Sequence, residues 1–158
     1  MKVSLDLPGI ARLQELLNRS SETATPAVAQ SVAWRPRQMS AEDLVDFWSQ
    51  AKVAAMTTVG PKGQPHTAPV HARLLGDHLY LVIYGNTVRR RDLRTNPRVS
   101  FCTWGDRGEA VLLYGRAREV QGSLRPARET QAGEPRDVVE LDVELTRVYA
   151  MAGRPSED

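Results

Sequence analysis

Residues Tyr84–Val99 read YGNTVRRRDLRTNPRV, and this stretch decides how the rest of the chain is read. The apolar run Leu79–Tyr84 ends at Gly85-Asn86, and Thr87 stands where a cap belongs. Arg89, Arg90 and Arg91 then open a short helix that Asn96-Pro97 must stop. A strand end that feeds a capped helix start makes an anion site. Unpaired first-turn amides, the positive end of the helix dipole, a hydroxyl and nearby guanidinium groups all favour a phosphate. A solvated basic helix would carry the same arginines, so the neighbouring segments have to decide between the two readings.

Outward from this stretch the periodicity is that of short strands joined by turn chemistry. Val53–Val59 is an apolar, threonine-rich run, turned by Gly60-Pro61-Lys62-Gly63 into an extended segment, Pro65–Leu75. Gly76-Asp77 turns again into Leu79–Tyr84. Beyond the arginine helix, Val99–Trp104 and Glu109–Val120 are joined by Gly105-Asp106-Arg107-Gly108, a hairpin signal. Gln121–Asp137 is polar and reads as a long loop with room for one turn of helix. Val139, Leu141, Val143 and Leu145 then alternate with Glu140, Asp142, Glu144 and Thr146, the pattern of an antiparallel strand with one face in water. The reading is therefore mainly β (α+β): a six-stranded antiparallel split β-barrel with short helices and an N-terminal helical extension. A doubly wound parallel sheet would need a crossover helix after nearly every strand.

Upstream, Ile10, Leu13, Leu16 and Leu17 recur at helical spacing behind Asp6 and Pro8, predicting an amphipathic helix over Pro8–Asn18. From Arg19 to Gln38 the composition turns to Ser, Thr, Ala and Pro, which reads as a linker or arm with Trp34 as its one large anchor. Ser40–Asp43 has capping-box form, and Leu44, Phe47 and Trp48 share one face of the helix that follows. The expected organisation is a helical arm and linker over 1–50, a barrel domain over 51–151, and a tail over 152–158.

Lys and Arg total 21 against 19 Asp and Glu, a formal charge of +2, so the arginines of the helix are a local concentration in a nearly balanced chain. Bulk nucleic-acid binding is not expected at that charge. The single cysteine, Cys102, excludes an internal disulfide and a cysteine-based zinc site, and reads as a small core residue. The N-terminus lacks the continuous apolar core of a signal peptide, and no apolar run is long enough to span a bilayer. A cytoplasmic protein is expected. His66, His71 and His78 fall on neighbouring predicted strands, where scattered histidines are usually hydrogen-bonded or exposed, so no metal site is assigned.

The ordered set Gly63-Gln64-Pro65, a strand ending in Arg73, an aliphatic strand, Thr87-Val88-Arg89, Leu93 four residues before Pro97, and Asn96-Pro97-Arg98-Val99 resembles the pyridoxamine 5'-phosphate oxidase-like family of FMN-binding split β-barrels. The match runs from about Val53 to Val120 and extends to the last strand. The resemblance implies a homodimer that holds FMN at the subunit interface. It places the cofactor phosphate on Arg73, Thr87 and Arg89, with Val88 inside the same segment. It also lays the backbone of Ala68, Pro69, Val70, His71 and Ala72 along the flavin and sets Val82 and Ile83 against it. Trp104 reads equally as a flavin neighbour or as a residue closing the barrel end.

True pyridoxamine phosphate oxidases carry an Arg-Lys pair where this chain has Val88-Arg89. They carry Tyr-Thr at Val82-Ile83 and glutamine where Ala110 falls, and they end in a substrate-gripping segment not seen here. These departures point away from pyridoxal phosphate synthesis. What the resemblance leaves is a flavin-dependent oxidoreductase moving hydride between FMN and a small organic substrate or a reduced nicotinamide, NADH or NADPH. The rivals on the same fold are a deazaflavin (F420) reductase and a non-catalytic flavin or haem carrier. The cofactor brings its own redox chemistry, so no catalytic residue is assigned. Arg91 and Arg98 remain candidates for pairing with a partner subunit or a second phosphate, while Arg90 and Arg94 read as solvated by default.

Overall fold

The computed structural model describes residues 6–50, 53–127, 133 and 136–157. The expected domain bound at 51, much of the 121–137 loop and the last residue of the tail lie outside the described residues.

Four α-helices and eight β-strands follow the order α1 (Leu7–Glu22), α2 (Pro26–Ala29), α3 (Ala41–Ser49), β1 (Val53–Val59), β2 (Pro65–His71), β3 (Arg73–Leu75) and β4 (His78–Tyr84). They continue as α4 (Val88–Thr95), β5 (Arg98–Trp104), β6 (Ala110–Glu119), β7 (Arg125–Pro126) and β8 (Asp137–Met151). All strand pairings are antiparallel, and the strands form one sheet in the order β2-β1-β5-β6-β8-β4-β3, with β7 on β8. The sheet curls into a split barrel, as the alternation predicted.

Three differences have physical reasons. The run Pro65–Leu75 is not one strand: it stops pairing with β1 after His71 and starts pairing with β4 at Arg73, so Ala72 carries the chain from one sheet edge to the other. The last strand runs to Met151, and Asp142, expected in water, is buried under His78 and Arg118, whose side chains bond its two oxygens at 2.7 Å each. The segment 19–38 is not an extended linker. Helix α1 continues to Glu22, α2 and a 3-10 turn at Arg35–Arg37 follow, and Trp34 is 46% exposed while Ala33 and Met39 take the buried positions.

The barrel interior is filled by the inward-facing residues Met56, Leu79, Phe101, Val111, Leu113, Leu141 and Val143, and α1 and α3 close it with Leu13, Leu17, Leu44 and Trp48. Asp6 caps α1 by accepting from the Gly9 amide at 3.2 Å, and Ser40 caps α3 by accepting from the Asp43 amide at 3.1 Å. Gly76, at φ +58, turns β3 into β4 directly under Gly9; a Cβ on it would lie 2.7 Å from the Gly9 Cα, so α1 seats on backbone. At Gly115 a Cβ would meet the Glu144 carbonyl oxygen at 2.5 Å, which is where β6 and β8 slip register.

Candidate functional site

The split of the barrel is set by Ala72. Arg73 pairs with Tyr80, so an uninterrupted ladder would put His71 opposite Val82 and Pro69 opposite Tyr84. Those pairs do not form. Among the described residues no strand pairs the outer edge of β2, and none pairs β4 on that side beyond Tyr80. A seam therefore opens between Pro65–His71 and Leu81–Tyr84, lined by backbone donors and acceptors that no neighbouring strand uses. The Trp48 indole closes its lower end by donating to the Ala72 carbonyl at 2.8 Å.

Helix α4 begins just past the open end of β4. Thr87 caps it: its Oγ1 accepts from the Arg90 amide at 3.3 Å and donates to the Tyr84 carbonyl at 3.1 Å, and the helix stops at Thr95 before Asn96 and Pro97. The Arg89 Nε is buried without a hydrogen-bond partner among the described residues, and burial pushes the guanidinium below its ordinary pKa. A cationic N–H that has lost water is costly unless an acceptor from outside the chain takes it up.

Arg90 behaves differently from the solvated default. Its side chain is 15% exposed, its Nε and Nη2 bind Glu119 at 2.6 and 3.2 Å, and its Nη1 binds the Gly85 carbonyl at 3.1 Å. That pairing, foremost through the hydrogen bond from Arg90, holds the Glu119 carboxyl below its usual range. Arg90 therefore fastens α4 to β6. Arg91, Arg94 and Arg98 are exposed.

Asp92 was missed by the sequence reading. It is 2% exposed and accepts from Thr58 Oγ1 at 2.7 Å, and its Oδ2 lies 2.6 Å from His66 Nδ1. Burial alone would raise its pKa; the hydrogen bonds from Thr58 and His66 and the charges of His66 and Arg91 outweigh it, and the carboxyl ends below its ordinary value. The signal available in the sequence was one acidic residue in a run of arginines.

A groove of about 1070 Å³ continues the seam, walled by Asp6, Asp46 and Trp48 of the helices and by His71, Arg73, Tyr80, Val82 and Glu140. The predicted residues divide along it. Val82, 49% exposed, faces the groove, while Ile83 points into the core and cannot offer its side chain to a ligand. Ala68 is half-buried and Pro69 exposed on the seam strand, with Val88 exposed at the helix start. Thr87 and Arg89 sit together. Arg73 stands opposite Tyr80, four residues down β4 from Tyr84, a separation of roughly 13 Å along the strand.

Trp104 lies outside the groove lining, 68% exposed on the outer sheet face. Cys102 is half-buried on that same face rather than in the core, and partial burial raises its thiol pKa. Among the described residues no three or more His, Cys, Asp or Glu side chains gather as a metal site, and no helix is long and apolar enough to cross a membrane.

No curated protein matches the sequence significantly. Solved structures share the fold. The conserved hypothetical protein Rv2991 from Mycobacterium tuberculosis is 20% identical at TM-score 0.63, covering 78% of this chain and 94% of its own. An F420 reductase is 16% identical at TM-score 0.53, covering 65% of this chain and 93% of its own. A FAD-binding protein from Mesorhizobium loti is 19% identical at TM-score 0.52, covering 72% of this chain and 95% of its own. The family model of pyridoxamine 5'-phosphate oxidase matches residues 40–150, the span that holds the seam, the capped helix and the whole barrel, and the chain belongs to that family.

Proposed function

We propose that the protein is a flavin-dependent oxidoreductase that binds FMN along the seam between β2 and β4, with a small organic substrate or a reduced nicotinamide as its redox partner. The observation that carries this reading is the buried, unpaired Nε of Arg89 at the start of a helix capped by Thr87. A phosphate there would receive the Arg89 guanidinium, the Thr87 hydroxyl and the first-turn amides together. The residues fit the phosphate end of the group. The backbone of Ala68–Ala72 fits its ring system, because among the described residues no strand pairs the outer edge of β2.

In this reading Arg73 would have a separate task. At the far end of the seam and on the groove wall, it would meet the ring or the substrate rather than the phosphate. The bound flavin would supply hydride transfer. The chain's own contribution is binding, orientation and exclusion of water by Trp48, Val82 and Tyr80. A second copy of the chain would complete the site. The outer faces of β1, β5 and β6 bring the exposed Val53 and Trp104 together with the half-buried Ala55, Cys102 and Leu112 onto one apolar face, the kind of patch an isologous dimer covers.

The absorbance spectrum of the purified protein, with mass spectrometry of what denaturation releases, tests the reading. A flavin spectrum and released FMN support it. Bound deazaflavin F420 would reassign the cofactor and keep the site. A protein that binds neither, even after incubation with each, would overturn it. The same barrel is found in an F420 reductase, so that outcome is the second reading.

A further inference from the structure

The groove that continues the seam has one helical wall and one strand wall. On the helical side it is lined by Ile10, Val45 and Trp48, which also pack on the core. On the strand side Tyr80 and Val82 share one face of β4 and are 36% and 49% exposed. Two of the rings are held in place. The Trp48 indole is tied to the Ala72 carbonyl, and the His78 ring lies nearly parallel to Tyr80 at 6.1 Å, itself fixed by its bond to buried Asp142. Flat apolar walls that are already ordered favour a flat apolar occupant, because little more has to be immobilised when it binds.

The charges of the lining limit what that occupant can carry. Asp6, Asp46 and Glu140 set three carboxylates in the groove against the one guanidinium of Arg73. Asp6 is committed to the cap of α1, where it accepts from the Gly9 amide, and Glu140 is paired with Arg125 at 3.3 Å. Among the described residues no hydrogen bond or ion pair engages the side chain of Asp46 or of Arg73, and both are exposed. The excess of carboxylates repels an anion, and the free guanidinium beside Tyr80 repels a cation. An uncharged molecule meets neither penalty, and it can still offer an acceptor to Arg73.

We propose that this groove binds a planar, uncharged aromatic molecule against Val45 of α3 and Tyr80 and Val82 of β4, with an edge carbonyl toward Arg73, and that it discriminates against anions. In making that molecule the redox partner the proposal rests on the flavin reading above. Of the two partners named there it selects the small organic substrate, since the diphosphate of a reduced nicotinamide dinucleotide would bring further negative charge against Asp46 and Glu140.

The test uses coumarin, a neutral bicyclic lactone, and coumarin-3-carboxylate, the same ring system bearing an anion. Their dissociation constants are measured by NMR titration of the full chain, both free of FMN and loaded with it. Coumarin is expected to bind, the carboxylate to bind at least about tenfold more weakly, and NADH to leave bound coumarin in place. Tyr80→Ser, at an exposed strand position, is expected to weaken coumarin by about tenfold. Asp46→Lys, on the exposed side of α3, is expected to invert the preference, so that the carboxylate binds more tightly than coumarin. A carboxylate that matches or exceeds coumarin on the wild type, displacement of coumarin by NADH, or coumarin affinity indifferent to Tyr80→Ser would each overturn the proposal. So would loss of coumarin binding on loading FMN, which would give the groove to the flavin itself. A protein that takes up no FMN yet keeps the preference for coumarin would remove the flavin reading and leave the groove's selectivity standing; one that holds FMN and binds no coumarin would do the reverse.

Discussion

The Trp48 indole N–H bonds the Ala72 carbonyl at 2.8 Å, and that contact joins the helical arm to the residue where the barrel splits. Ala72 sits between the last pair with β1 and the first pair with β4. A strand that changes edges leaves a backbone acceptor without a ladder partner, and a side chain from outside the sheet must supply the donor. The arm is therefore part of the site's construction as well as a cover for the core.

Trp48→Phe keeps an aromatic ring and removes the donor. The part-buried carbonyl then loses its indole partner, a loss of about 1 kcal/mol of stability. Urea unfolding measures it. A change within a few tenths of a kcal/mol would show that water replaces the indole and that the contact does not hold the split open.

Arg89 offers a sharper test, because function and stability should separate there. The guanidinium is half-buried, its Nε has no partner among the described residues, and burial lowers its pKa. Arg89→Met should leave the melting temperature of the cofactor-free protein unchanged or raise it, since an apolar side chain of similar length suffers no such desolvation. The same substitution should weaken FMN binding by about tenfold or more, from the loss of charge-assisted hydrogen bonds. A variant that unfolds earlier and binds FMN like wild type would place Arg89 among the structural residues.

The fold was legible because period-two alternation and turn residues are local: Gly60–Gly63, Gly76-Asp77 and Gly105–Gly108 each stand where the structure turns. The capped helix start was legible for the same reason, with Thr87, Asn96 and Pro97 doing what their chemistry dictates. What stayed hidden was set by tertiary packing. Nothing local marks Ala72 as the point where one extended run changes sheet edges, and that exchange creates the seam. Asp142 read as a water-facing carboxylate and Asp92 drew no reading because their partners, His78 with Arg118 and Thr58 with His66, come from distant strands. Arg90 read as solvated because Glu119 is brought to it only by the fold.

Asp92 predicts a pH dependence of stability. Its folded pKa is depressed below the unfolded value of about 4, so its contribution is fully present above that value and is lost as pH falls through the depressed folded value. Asp92→Asn should cost about 1–3 kcal/mol near neutrality, by weakening the bonds to Thr58 and His66. The gap between the two proteins should close below about pH 4. Urea melts across an acid series would show it; a gap that stays constant to pH 3 or so would mean the carboxylate charge contributes nothing to folding.

Trp104 tests the proposed dimer. The strand registers set Ala55 opposite Cys102, Cys102 opposite Leu112, and Trp104 opposite Ala110, so these residues alternate outward together on one face. Among the described residues Trp104 is the most exposed large hydrophobic one, at 68%, with Val53 at 49% on the same side. An isologous interface of ordinary size covers about 800 Å² on each partner and concentrates its energy in a few buried aromatic residues. Trp104→Asp would remove such an anchor and place a charge where the partner must approach, which should weaken dimerisation by about thirtyfold or more. The variant should fold normally, since the side chain contributes little to the core of its own subunit. Sedimentation velocity of wild type and variant at matched concentrations reads both points at once. A wild-type protein that sediments as a monomer at about 10–100 μM, well above the range of specific dimers, would remove the second subunit from the site and leave the seam to bind its ligand alone.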